Sequence, residues 1–113
     1  MSSAIARVVH VVDNFRVAIN MGARSNVKVG DRYIIYAIGP EIIDPETSEN
    51  LGEIQIVKGY GRVMSVQEKM ATVESTNTET KRTRHSVLMG YEEREEPKPF
   101  DQPRVGDFAR KVN

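Results

Sequence analysis

The chain has no cysteine and no tryptophan, only two histidines and two leucines, and no apolar run near the ~18 residues that cross a membrane as a helix. Without cysteine there are no disulfides, no thiolate nucleophile, no zinc ribbon and no iron–sulfur ligation. The stretch Met1 to Val12 lacks the separate basic region, long apolar run and small-residue cleavage site of a signal peptide. These absences point to a soluble, cytoplasmic protein with no membrane partner. Net charge is missing too: sixteen basic residues face sixteen acidic ones. No global field therefore draws nucleic acid, although a local patch can still bind it.

What is present is β-branched. Fourteen Val and nine Ile make up most of the apolar inventory of this 113-residue chain, which suits one domain. Helices favour side chains that keep their rotamer freedom, whereas β-branched ones fit a pleated sheet.

The order of strand-like and turn-like segments follows. Ile5 to Val12 and Phe15 to Ile19 flank Asp13-Asn14, two residues that tolerate positive φ and close a hairpin pairing Val12 with Phe15, His10 with Val17 and Val8 with Ile19. Asn20 to Asp31 is a connection punctuated by Gly22 and Gly30. Tyr33 to Ile38 is apolar throughout, as in a strand covered on both sides, and Gly39-Pro40 ends it. Glu41 to Gly52 has a hairpin loop's composition, or its Ile42-Ile43 continue the previous strand. Glu53 to Val57 and Arg62 to Gln67 are strand material, interrupted by Gly59-Tyr60-Gly61 as a bulge or sharp bend. Glu68-Lys69 turns into Met70 to Glu74. Thr76 to Pro103 is polar, then acidic and proline-bearing, which predicts a long mobile excursion in which Val87-Leu88-Met89 docks or adds a strand. Arg104 to Val112 resumes strand texture. Val29-Gly30-Asp31 before Tyr33 is echoed by Val105-Gly106-Asp107 before Phe108, a strand-entry device in which Gly supplies the backbone conformation and Asp binds a nearby amide. The prediction is an all-β fold: a small closed or partly open barrel of about six strands, closed by residues 104 to 113.

Chemistry-bearing constellations are sparse. His10 sits mid-strand beside valines, as a packed or barrel-lining residue, and His85 adjoins Ser86, a neighbour it cannot serve as a base on a strand. Asp44, Glu46, Glu49 and Glu53 share a loop but miss the calcium-loop spacing, so no metal and no cofactor is assigned. Gly59-Tyr60-Gly61-Arg62 lacks the strand–helix context of a phosphate cradle. Lys81-Arg82-Thr83-Arg84-His85 is a basic run, and small barrels bind nucleic acid with surface aromatics; Lys81, Arg82, Arg84 and His85 are the contacts under that alternative.

The series Asp13-Asn14-Phe15, Ile19-Asn20-Met21-Gly22, Val27 to Tyr33, Tyr36, Ile43-Asp44-Pro45-Glu46-Thr47 and Leu51-Gly52-Glu53 resembles the C-terminal domain of flagellar assembly protein T and its stand-alone relatives. The likeness spans about Val8 to Val73 plus Val105-Gly106-Asp107. Ser25-Asn26 and Thr47-Ser48-Glu49 depart from it where such domains often place Gly. The resemblance implies a bacterial β-barrel module with assembly or protein-contact duties. From the residues themselves, the expected function is non-enzymatic binding of another protein, or self-association, with Tyr33, Tyr36, Tyr60, Arg62, Asp44 and Glu46 as contacts.

Overall fold

The computed structural model describes residues 5–86 and 90–112, and of residues 84–86 and 91 the backbone alone. It contains β1 (Ile5–Asp13), β2 (Arg16–Ile19), β3 (Arg32–Ile43), β4 (Asn50–Val66), β5 (Ala71–Ser75), β6 (Thr78–Ser86), β7 (Gly90–Pro97) and β8 (Phe108–Val112), with a 3-10 turn at Ala23–Ser25. Six strands close an antiparallel barrel in the order β1-β2-β5-β4-β3-β8. The remaining two, β6 and β7, form a separate ribbon. The alternating Val and Ile positions fill the barrel: Val8, Val17, Ile19, Ile35, Val63 and Val73 are all fully buried. Tyr33 to Tyr36 is covered on both sides, but the cover expected over the whole run to Ile38 stops there, and Ile38 is 39% exposed.

Several local expectations are corrected. The first hairpin turns on Asn14-Phe15, with no positive φ at Asp13 or Asn14. Asp13 instead accepts the Phe15 amide at 2.8 Å and draws in Arg16 at 2.8 Å. Val8 does pair with Ile19, but His10 pairs with Ala18 and Val11 with Val17, because β1 carries bulges at Val9 and Val12. The bulge at Val9 shifts the in–out alternation by one residue, so His10 faces solvent and Val11 packs on the core. Gly39-Pro40 does not end β3; it forms a bulge, and the strand runs on to Ile43. The segment 76–103 contains the β6–β7 ribbon and also Phe100, a core residue exposed by only 2%. The Val87-Leu88-Met89 segment lies outside the described residues.

The bulge expected at Gly59-Tyr60-Gly61 lies one residue earlier, and these three residues pair in unbroken register with Ile35, Ile34 and Tyr33 within a continuous β4. Lys58 is the extra residue, and Gly59 takes φ +142°. A Cβ on Gly61 would lie 2.5 Å from Val73 Cγ1 and 3.0 Å from Phe100 Cζ. The two glycines therefore vacate the slot that the Phe100 ring fills, and residues 98–107 lie across this side of the barrel.

The Val-Gly-Asp echo is the visible part of an internal two-fold relation. Gly30 N–H donates to Val63 O and Val63 N–H to Asp31 O, at 2.9 and 2.8 Å; Gly106 N–H donates to Val8 O and Val8 N–H to Asp107 O, at 2.8 and 2.7 Å. Both glycines have φ near +95° and both aspartates accept the amide three residues back. The registers repeat the relation. Val8↔Ile19, His10↔Ala18 and Val11↔Val17 match Val63↔Val73, Ser65↔Thr72 and Val66↔Ala71, with the bulge at Val9 answered by one at Met64. Ile5↔Arg110, Ala6↔Ala109 and Arg7↔Phe108 match Tyr60↔Ile34, Gly61↔Tyr33 and Arg62↔Arg32. Strands β8-β1-β2 and β3-β4-β5 are thus equivalent halves around an axis through the Ile34↔Arg110 and Ala18↔Thr72 pairs.

The halves differ in how their aspartates are buried. Asp107 is 7% exposed and meets Lys58 Nζ at 3.5 Å, while the same ammonium donates to Gln102 O at 2.6 Å. Asp31 is more open, and Lys111 approaches it at 3.6 Å from solvent. Removing one partner of a buried pair strands the other charge, whereas an exposed pair contributes little. We expect Asp107→Ala to cost about 3 kcal/mol and Asp31→Ala about 1 kcal/mol in urea unfolding, despite identical motif positions. Equal losses would refute this ordering.

Candidate functional site

The part of the fold that the barrel does not need is the distal β3–β4 hairpin. β3 is paired to β8 over residues 32–36 and β4 to β5 over residues 61–66. Beyond those pairings the two strands continue together as an arm, residues 37–57, about 20 Å long at ~3.3 Å per residue. Seven aliphatic side chains on it stand exposed: Ile38, Ile42, Ile43, Leu51, Ile54, Ile56 and Val57. Opposed residues of an antiparallel pair share a face, which places Ile42, Ile54 and Ile56 on one side. Gly39 lies beneath them, since a Cβ there would meet Ile54 Cγ2 at 2.7 Å and Ile56 Cδ1 at 3.1 Å. Ile38 and Val57 stand on the other side, so both faces of the arm carry exposed aliphatic groups.

The arm's tip is held by its own side chains. Asp44 accepts the Glu46 amide at 2.8 Å, Thr47 Oγ1 accepts the Glu49 amide at 3.3 Å, and Asn50 accepts the Gly52 amide at 2.8 Å. Backbone bonds from Asp44 N to Glu49 O and from Ser48 N to Asp44 O close the loop, with Ser48 at φ +60°. Such a loop has already lost most of its conformational freedom and sacrifices little more on binding. Between residues 33 and 57 there are five carboxylates, Glu41, Asp44, Glu46, Glu49 and Glu53, and no basic residue.

The contact residues expected from the sequence divide. Glu46 is exposed at the arm's tip, and Asp44 is the loop's half-buried cap. Tyr60 is 46% exposed and Arg62 is exposed, both on β4 below the arm. Tyr33 and Tyr36 are buried to 2% and offer no contact surface. Tyr36 stacks on Phe108 with ring centres 5.6 Å apart, and the Arg7 guanidinium covers the other ring at 4.3 Å. The turn residues Asp13, Gly30, Asp31, Gly106 and Asp107 all hold loops; a Cβ on Gly22 would run into the Gln67 and Met70 backbone. Sequence reading missed the arm's aliphatic residues because apolar strand texture normally means burial. The signal that marks them is the pairing of that texture with a basic-free, acidic stretch.

The basic run lies on β6, beside a largely acidic strand. Lys81, Arg82 and Thr83 pair across the ribbon with Arg94, Glu93 and Glu92, and ion pairs join Lys81 to Glu79 at 3.3 Å and Arg82 to Glu93 at 3.5 Å. The side chains of Arg84, His85 and Tyr91 lie outside the described residues. A cleft of about 340 Å³ opens at the fork between arm and ribbon, lined by Val57, Lys58, Tyr60, Asn77, Lys98 and Asp101 among others. Among the described residues no group of three or more His, Cys, Asp or Glu is placed to hold a metal ion, and no helix is long and apolar enough to cross a membrane.

In comparisons with known proteins, no family model matches the chain and no curated protein does.

Burial, and secondarily the nearby Asp31 carboxylate, raises the Tyr33 phenol above its ordinary value of 10.0. The fold holds the neutral form, so this contribution is complete below pH 10.0 and is lost as the pH rises from there through the folded value. We expect thermal stability followed by circular dichroism to fall above about pH 10, and Tyr33→Phe to shallow that fall. An unchanged alkaline slope in the variant would assign the loss elsewhere.

Proposed function

We propose that this chain is a non-enzymatic β-barrel module that binds another protein, in an assembly or adaptor role, through the β3–β4 arm. The observation that carries the reading is the arm itself, a preformed hairpin with seven exposed aliphatic side chains that the barrel core does not use. Exposed aliphatic side chains bordered by carboxylates mark interaction sites. The ordered motifs that resemble the C-terminal domain of flagellar assembly protein T agree with the same kind of duty. The rival reading, nucleic-acid binding through Lys81 to His85, has less support because Lys81 is ion-paired with Glu79 and Arg82 with Glu93.

The test is site-directed crosslinking. A photoreactive amino acid at Leu51 is expected to give a discrete protein adduct in host lysate, unchanged by nuclease, whereas the same group at Arg24 on the barrel's far loop gives none. Ile43→Asp with Leu51→Asp should reduce recovery of that partner at least tenfold, the loss expected when buried apolar contacts become charged. Adducts that vanish after nuclease treatment would overturn the reading in favour of the basic ribbon.

A further inference from the structure

Charge is distributed over this neutral chain in a telling way. The arm, residues 37–57, carries five carboxylates and no base; the ribbon, residues 78–97, carries four bases and five acids; the remaining body carries twelve bases against six acids. One molecule therefore presents a net −5 arm studded with aliphatic groups and a net +6 body. Arm and body are complementary in sign, and each surface is supplied by every copy of the chain.

The body also offers apolar ground for such an arm, and the internal two-fold relation offers it twice. Val29 and Met64 line one groove of about 300 Å³ with Arg62 on its wall and Lys28 adjoining. The only carboxylate among its lining residues, Glu74, is held by Arg16 at 3.3 Å. Under the two-fold relation Lys28, Val29, Arg62 and Met64 correspond to Arg104, Val105, Arg7 and Val9. The exposures correspond as well: 67% and 65% for the two valines of the Val-Gly-Asp loops, 44% and 44% for the two bulge residues. The sites differ in their arginine. Arg7 is spent on Gly106 O at 3.0 Å and on the Phe108 ring, whereas Arg62, like Lys28, has no side-chain partner among the described residues.

Resting on the proposed arm function, we infer that the occupant is a second copy of this chain: the arm of one molecule docks into the Val29–Met64 groove of another. Ile43 and Leu51 at the tip supply the apolar contact, and Glu46 and Glu49 meet Arg62 and Lys28. The Val105–Val9 site is a weaker second acceptor. Seating the tip covers only part of the arm, so the contact falls below the ~1,200 Å² of stable interfaces and the association is expected to be weak. Opposite charges at its rim make it sensitive to salt.

Sedimentation velocity on the full chain tests this, from about 1 µM to several hundred µM at ~50 mM and ~500 mM salt. Mass should rise with concentration, with association at least tenfold weaker at the higher salt. Arg62→Glu with Lys28→Glu should weaken it at least tenfold, and Glu46→Lys with Glu49→Lys likewise. Mixing the two reversed proteins should restore association, which neither shows alone, because each then carries the charge the other's site requires. Circular dichroism confirms that the exposed substitutions leave the fold intact. A monomer at every concentration overturns the inference, and so does association that ignores both charge reversals. If the chain is monomeric while Ile43→Asp with Leu51→Asp still abolishes crosslinking to another protein, the second-copy inference falls and the arm function stands. If those aspartates change neither association nor crosslinking, both fall.

Discussion

Two backbone bridges hold this molecule in its shape. At each, a buried valine exchanges both its amide and its carbonyl with the Gly-Asp of a Val-Gly-Asp loop, Val63 with residues 30 and 31 and Val8 with residues 106 and 107. These bridges aim β3 and β8 into the barrel from opposite ends, which is why those strands can lie antiparallel and adjacent. The glycines supply the left-handed turn and the aspartates tie the loop behind it, so each bridge depends on residue chemistry at two consecutive positions. Everything else, from the central valines to the Phe100 plug, packs against a frame that these contacts define.

Much of that frame is legible in the chain. Valine and isoleucine in excess, short alternating segments and glycine at corners lead to a six-stranded barrel without further help. The glycines at 59 and 61 mark the neighbourhood of a bulge, although the extra residue is Lys58. What escapes is information that resides in pairing. The bulge at Val9 cannot be seen until β2 is laid beside β1, yet it decides which way His10 points. Phe100 reads as one aromatic in a proline-bearing acidic stretch, and only the vacancy left by two distant glycines makes it a core residue. The β6–β7 ribbon likewise depends on a basic strand meeting an acidic one, while each alone looks like solvated chain.

The candidate site was half legible. The acidic loop at Asp44 and Glu46 stands at the arm's tip, but Tyr33 and Tyr36 point into packed surroundings. An alternating strand and an arm with aliphatic groups on both faces share one composition; what separates them is whether a third strand arrives. β8 arrives beside residues 32–36 and stops, and β5 arrives beside residues 61–66 and stops. The exposed arm is created by the shortness of its neighbours. Among the described residues, an arm of this kind extends from the half built from β3-β4-β5.

The position of β8 has a consequence for how the chain is made. It is the last barrel strand in chain order, yet it lies between β1 and β3 and pairs with both. As a ribosome delivers the chain from its N-terminal end, the first five barrel strands are complete while two open sheet edges, those of β1 and β3, still face solvent. Closure waits for Phe108–Val112. Until that segment leaves the exit tunnel the barrel cannot close, since nothing else in the strand order joins β1 to β3.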